Sequence, residues 1–429
     1  MRRFLLIILV LIIAAGGVTV AISLHHPPMR LMPPPAVVLD ARVAPALEAV
    51  IDQRIPLFYA TNREARGTRE ARDYARVPGE PLHAGRLTIR IGDDLTPLDR
   101  IVEWSTRATD EPRPYLHLDT VEEQASIAPD APLSDEAKAW FAAVDAAIAE
   151  SRDKDVIIYV HGANTNLERA AGQAAQLQHF AGRNSVVLLF AWPTAENFLL
   201  YSRDLVTAEQ SAPQLARLIE LLGQHTAAQK IDVFTYSAGG AVGSEALAIV
   251  GRDAAKPAAP DPRLGEVYHA APDADFRSFV DDMKDYANRT ERVTVAVNMN
   301  DTALRLARRV NNASRAGRPD MRELSPEATE WLLGATRDYG LELLRVRPEN
   351  IPGLSNFSHT FWYDDPWVSS DVLITLLYHL PPADRGLEAG DTTFGGEYWT
   401  FTPDYPERLS SVLDRLRAAA RAPAPGGSD

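Results

Sequence analysis

Two five-residue apolar runs, Val156-Ile-Ile-Tyr-Val160 and Val186-Val-Leu-Leu-Phe190, constrain the fold of this chain more than any other feature. Neither alternates polar with apolar residues, so each strand must be covered on both faces, as in a parallel sheet sandwiched by helices. Shorter runs follow at Val233-Phe234, Val267-Tyr268 and Val293 to Val297. Helical patterning falls between them at about 167–181, 212–222, 239–250, 275–287 and 302–311. Strand–helix alternation at this spacing predicts an α/β fold with a mostly parallel central sheet and helices on both faces. Ahead of this core, Leu87 to Ile91 and Tyr115 to Thr120 read as strands, and Asp135 to Ala149 as a helix capped by Ser134. Behind it, a helix over 326–340, a strand at Leu341 to Val346 and a helix over 369–379 are expected.

The N-terminus has a different character. Arg2-Arg3 precede an apolar run from Phe4 to Leu24, and 21 helical residues reach about 30 Å, the hydrocarbon thickness of a bilayer. The expectation is a single membrane-spanning helix acting as a signal anchor (1–26), with a cleaved signal peptide as the alternative. The positive flank would leave the first residues inside and put the body on the periplasmic or extracellular side of an inner membrane. A Pro-rich stalk (27–54), an N-terminal part with extra strands (55–150), a core (151–385) with a candidate cap at 312–345, and a C-terminal extension (386–429) complete the expected organisation.

Composition removes several classes of function. The 429 residues include no cysteine, which excludes disulfides, thiolate metal sites, iron–sulfur ligation and a cysteine nucleophile. A net charge of −14 without a basic stripe disfavours nucleic acid as a partner. No clustered pair of histidines accompanies the loop acids, so no metal and no cofactor is implied. No obligate protein partner is expected either.

The strongest local signal is Ile231-Asp-Val-Phe-Thr-Tyr-Ser237-Ala-Gly-Gly-Ala-Val-Gly243. A short strand runs straight into Ser237 and a helix of small residues starts directly behind it. That is the arrangement of a nucleophile elbow, where a serine sits on a sharp strand-to-helix corner. Thr235 stands where the Gly-x-Ser-x-Gly pattern has its first glycine, which weakens the match. A serine nucleophile needs a base and an orienting acid, and both follow in chain order. Asp301 lies just past the strand ending at Val297, and His359 lies in the loop after the strand ending at Val346. Asp273 and Asp275 are the competing acids, with helix capping as their other reading.

Two further loops belong to the same rim. His161-Gly162-Ala163-Asn164 follows the first buried strand, and the amides of Ala163 and Ala238 are the candidate oxyanion donors. Asn164 is a candidate second donor or support, and His161 is read as pinning its own loop. Trp192, Tyr236, Phe357 and Trp362 are candidate pocket walls, with core packing as the competing reading.

The ensemble resembles the α/β-hydrolase superfamily, and within it a bacterial esterase/lipase-like family formerly catalogued as a domain of unknown function. The resemblance rests on Ile55-Pro-Leu-Phe-Tyr-Ala-Thr-Asn-Arg63, Val160-His-Gly-Ala-Asn-Thr-Asn166 and Phe190-Ala-Trp-Pro193. Tyr236-Ser-Ala-Gly239, Ala270-Ala-Pro-Asp-Ala-Asp275, Asn300-Asp-Thr-Ala-Leu-Arg-Leu-Ala-Arg308 and Ser358-His359 follow in order, so it covers roughly 55–380. It implies Ser237, Asp301 and His359 as nucleophile, acid and base. The family usually has Ala-His-Ser-Met-Gly where this chain has Thr-Tyr-Ser-Ala-Gly, so pocket shape is not inherited. The expected activity is hydrolysis of a carboxylic ester, a lipid or lysolipid being suggested only by the membrane. The alternative is a non-catalytic envelope protein that uses the same fold for binding or scaffolding.

Overall fold

The computed structural model describes residues 28–35, 52–69, 72–129 and 131–421. In chain order its strands are β1 (Arg54–Arg66), β2 (Asp73–Ile91), β3 (Leu116–Ile127), β4 (Val156–Val160), β5 (Val186–Phe190) and β6 (Ile231–Tyr236). They continue with β7 (Leu264–Ala270), β8 (Arg292–Val297), β9 (Leu341–Arg345), β10 (Glu388–Asp391) and β11 (Glu397–Thr400). The α-helices are α1 (Leu98–Thr106), α2 (Asp135–Glu150), α3 (Leu167–Phe180), α4 (Tyr201–His225), α5 (Gly239–Ala254) and α6 (Phe276–Tyr286). Then come α7 (Thr302–Asn311), α8 (Pro326–Asp338), α9 (Phe361–Asp364), α10 (Pro366–Tyr378) and α11 (Tyr405–Arg421).

All the strands join one sheet, in the order β10-β11-β9-β8-β7-β6-β4-β5-β1-β2-β3. From β11 to β1 every pairing is parallel, and antiparallel pairings occur only at the two margins. The unbroken apolar runs are explained by the layers. In β4, Val156, Ile158 and Val160 pack into one core while Ile157 and Tyr159 pack into the other. One core is closed by α1, α3, α10 and α11, the other by α2, α4, α5 and α6. A fully buried Val or Leu is worth about 1.5–3 kcal/mol, so a polar substitution in β4 or β5 would injure a core whichever face it met.

Four helix starts carry side-chain caps of the expected residue types. Ser134 accepts from the Ala137 amide, Asn166 from Arg169, Asp301 from Leu304 and Ser325 from Ala328. The margins were less legible. The 13-residue β1 and 19-residue β2 form a long antiparallel ribbon whose register shifts near Arg63, which breaks the alternation that would mark a strand. Part of the segment expected as a cap is sheet: β9 pairs in parallel with β8.

The expected membrane-spanning helix is corrected. Among the described residues no helix is long and apolar enough to cross a membrane. The longest, α4, carries Arg203, Asp204, Glu209, Arg217 and Glu220, and it packs one apolar face on the sheet. The run Phe4 to Leu24, read as anchor or cleaved signal, lies outside the described residues. The membrane as partner and the inner-membrane location, both expected from that helix, are corrected with it, and the lipid suggestion that rested on them falls.

Candidate functional site

The C-terminal ends of the parallel strands meet at one rim. β6 ends at Tyr236, and Ser237 follows with a left-handed φ of 54°, after which α5 begins at Gly239. A non-glycine residue in that conformation is strained and must be held there. Its neighbours hold it: the Ser237 amide donates to Ala270 O at 3.0 Å, and its carbonyl accepts from the amides of Gly240 and Asp273, each at 2.8 Å. The Thr235 departure also has a structural reason. Its methyl lies over Gly243, where an added Cβ would come within 2.4 Å. Its hydroxyl pairs with His269 Nδ1 at 2.7 Å, so the bulkier residue is seated and its polar atom satisfied.

Asp301 and His359 converge on Ser237. Asp301 is the N-cap of α7 and fully buried; Oδ1 accepts from the Leu304 amide at 3.0 Å, and Oδ2 lies 2.6 Å from His359 Nδ1. The other ring nitrogen, Nε2, is 2.8 Å from Ser237 Oγ. Burial alone would lower the His359 pKa, but the Asp301 carboxylate, with Asp273 behind it, outweighs burial and leaves it raised. Tyr236 packs against the imidazole, ring centroids 5.4 Å apart.

The loop after β4 presses on the serine from the other side. A Cβ on Gly162 would lie 2.9 Å from Ser237 Cβ, so only glycine permits this approach. Among the described residues, neither the Ala163 nor the Ala238 amide donates to another protein group. Asn164 does not share that freedom: its amide donates to Asp204 Oδ2 at 2.9 Å. His161 donates from Nδ1 to Gly162 O at 2.8 Å, and burial, then Arg63, push its pKa down to about 3. It is a neutral brace.

Other sequence-selected residues are placed differently. Asp273 is occupied by Arg315 Nε at 2.5 Å and the Tyr201 hydroxyl at 2.7 Å, and Asp275 caps α6. Trp192 and Trp362 are core residues and not pocket walls. Trp192 stacks on His161 and donates to its carbonyl at 2.7 Å, while Trp362 lies among Tyr159, Phe234, Tyr236 and Tyr363. Tyr236 is buried against His359, and Phe357 is 55% exposed.

Three braces escaped the sequence reading. Asp204, inside α4, accepts from the amides of Asn164 and Ala195 (2.6 Å) and so ties together the loops after β4 and β5. Asn298 donates from Nδ2 to Ser358 O at 2.8 Å, fixing the backbone beside His359. Arg63 reaches both Glu196 (3.0 Å) and Thr165 O (3.1 Å). Asn298, directly after a strand and three residues before Asp301, and Arg63, which closes the motif beginning at Ile55, carried a local signal, whereas Asp204 carried none.

A second serine–histidine pair, Ser105 and His179, lies 2.7 Å apart, and both residues are fully buried. Arg183 donates to His179 Nδ1 at 3.1 Å, so the proton sits on Nε2 and the imidazole donates to the serine. Ser105 in turn donates to Ile101 O at 2.7 Å. This pair has the polarity opposite to that of a base activating a nucleophile.

Residues 134–338, just under half of the chain, match the family described as alpha/beta hydrolase of unknown function (DUF900). The match spans Ser237 and Asp301 and stops short of His359. No curated protein matches the chain. Among solved structures, the chain is similar to a CIB-like hydrolase from Thermoplasma acidophilum (13% identity, 53% of this chain and 88% of that one, TM-score 0.30). It is also similar to the phospholipase PlaB from Legionella pneumophila in complex with thio-NAD (13%, 57% and 67%, TM-score 0.27) and to an esterase from Pyrobaculum calidifontis (15%, 63% and 78%, TM-score 0.24). Likenesses this low carry no argument about chemistry.

Proposed function

We propose, for a chain that belongs to the α/β-hydrolase superfamily, that it is a serine hydrolase of carboxylic esters. One observation carries the reading: a single imidazole lies 2.6 Å from a buried carboxylate and 2.8 Å from a serine held at a strained corner.

The roles follow from the donors and acceptors. Asp301 accepts from His359 Nδ1–H, which leaves Nε2 as the acceptor facing Ser237 Oγ. As Oγ attacks the ester carbonyl, its proton moves to Nε2, and the imidazolium forms beside the Asp301 carboxylate. The carbonyl oxygen gains charge and is received by the Ala163 and Ala238 amides, each such donor being worth about 3 kcal/mol of barrier. His359 returns the proton to the departing alcohol. A water deprotonated by His359 then attacks the acyl-serine, the carboxylic acid leaves, and Ser237 regains its proton.

An apolar acyl group fits the rim. Phe198, Leu199 and Leu200 are exposed, and Phe198 stacks on Tyr201, whose hydroxyl holds Asp273 beside the elbow. Each methylene buried is worth about 0.8 kcal/mol, or roughly fourfold in kcat/KM. A panel of p-nitrophenyl esters of increasing chain length tests this: hydrolysis by the wild-type chain and none by S237A is expected. A folded wild-type chain that turns over no ester would favour the non-catalytic binding reading of the fold.

A further inference from the structure

At the opposite edge of the sheet, about 16 Å from Ser237 by strand rise along β6, the strand starts gather a second set of polar side chains. Asp155 directly precedes β4, Asp232 is the second residue of β6, Glu266 lies near the start of β7, and His379 caps the end of α10 with a φ of 51°. Asp155, Asp232 and Glu266 are buried, the last two completely.

The way each carboxylate is held points inward. Asp155 Oδ1 accepts from the Lys230 amide at 2.8 Å, which directs Oδ2 to His379 Nε2 at 3.0 Å. Asp232 Oδ1 accepts from the Glu266 amide at 2.7 Å, and its buried Oδ2 has no hydrogen-bond partner among the described residues. A fully buried carboxylate oxygen without a partner is costly, and a bound ion would satisfy it. The neighbouring cations face other acids: Lys230 Nζ lies 2.9 Å from Glu291, and Arg292 lies 3.0 Å from Glu266. One ligand atom each from Asp155, Asp232 and His379 falls within 4.8 Å of the others. An ion with bonds of about 2.1 Å spaces its ligands roughly 3–4.2 Å apart, so a small contraction closes the set. On the far side of the ring, His379 Nδ1 faces Glu266 Oε1 at 3.5 Å, the position of the carboxylate that orients a ligating imidazole.

We propose that Asp155, Asp232 and His379 bind a divalent transition-metal ion of the Mn²⁺ or Zn²⁺ class, which ties the end of α10 to the starts of β4 and β6. One imidazole with two carboxylates suits such ions better than Ca²⁺ or Mg²⁺, which favour oxygen alone. The role is structural, because the site lies at the end of the sheet remote from the rim.

The test uses the metal-stripped full chain titrated with Mn²⁺, following free Mn²⁺ by electron paramagnetic resonance and Tm by calorimetry. The H25Q/H26Q chain serves as a second background, so that N-terminal histidines are not counted. One Mn²⁺ per chain in both backgrounds, with Tm rising to saturation at one equivalent, is expected. D232N and H379Q should each weaken binding at least tenfold, and S237A should leave it unchanged. D155N gives the same reading if D232N does not fold. No saturable binding of Mn²⁺ or Zn²⁺, or binding unchanged in the folded variants, would reduce the cluster to an ion-pair network and overturn the proposal. Because S237A separates the two sites, that failure would leave the ester-hydrolase reading intact.

Discussion

In the proposed mechanism His359 accepts the serine proton only while neutral, and its pKa is raised because Asp301 outweighs the effect of burial. Below that pKa the ring is protonated and cannot accept from Ser237. The acid limb of kcat/KM should therefore lie above the ordinary histidine value of about 6.5, with activity falling tenfold per pH unit below it. A limb below that value would contradict the geometry. D301N keeps a similar shape but favours the wrong tautomer, so kcat should fall about 10⁴-fold with the fold retained. D273N removes one partner of a buried pair with Arg315, which should cost about 3–5 kcal/mol in a denaturant melt. Turnover by its folded fraction should stay within about tenfold of wild type. If D273N is folded and inactive, the acid is misassigned. The three residues that converge, Ser237, Asp301 and His359, could be selected from the chain because each stands in a loop that follows an apolar strand, although His359 lies 14 residues past the end of β9. The aromatic residues were not, since a run such as Phe361-Trp362-Tyr363 looks the same whether it lines a pocket or fills a core, as here.

The loops are positioned by side chains from elements that never touch the reacting atoms. Asp204 holds the Asn164 and Ala195 amides together, and an asparagine there offers one acceptor oxygen where the carboxylate offers two. D204N should release one loop and displace the Ala163 amide, lowering kcat by about 10² with a smaller change in KM. Stopped-flow turnover of the best p-nitrophenyl ester measures it; an unchanged kcat would remove Asp204 from the site. Sequence periodicity could not reveal this contact. Asp204 lies in a helix 40 residues from its partner, and an acid in the first turn of a helix has an ordinary explanation in the helix dipole. The central strands, buried on both faces, announced themselves, whereas the marginal ribbon β1–β2 and hairpin β10–β11 pair antiparallel at the edges and lack that continuous apolar signal.

Across the described residues, one mostly parallel sheet separates two clusters of polar side chains. The strand ends collect Ser237, Asp301 and His359, which are 122 and 58 residues apart in contact pairs, while the strand starts collect Asp155, Asp232 and His379. The second group could not be read from the chain, because no two of its members lie close in sequence and no motif spaces them. The likeness to α/β hydrolases was legible from ordered motifs; the run Phe4 to Leu24, expected as a membrane helix, lies outside the described residues, among which no helix is long and apolar enough to cross a membrane. The central claim is that Ser237 is the activated serine, and the most direct measurement is peptide mapping after treatment with a fluorophosphonate. The account predicts one adduct, on Ser237, lost in S237A, sharply reduced in H359A and kept in S105A. A folded chain that takes no label, or takes it on Ser105, would contradict it.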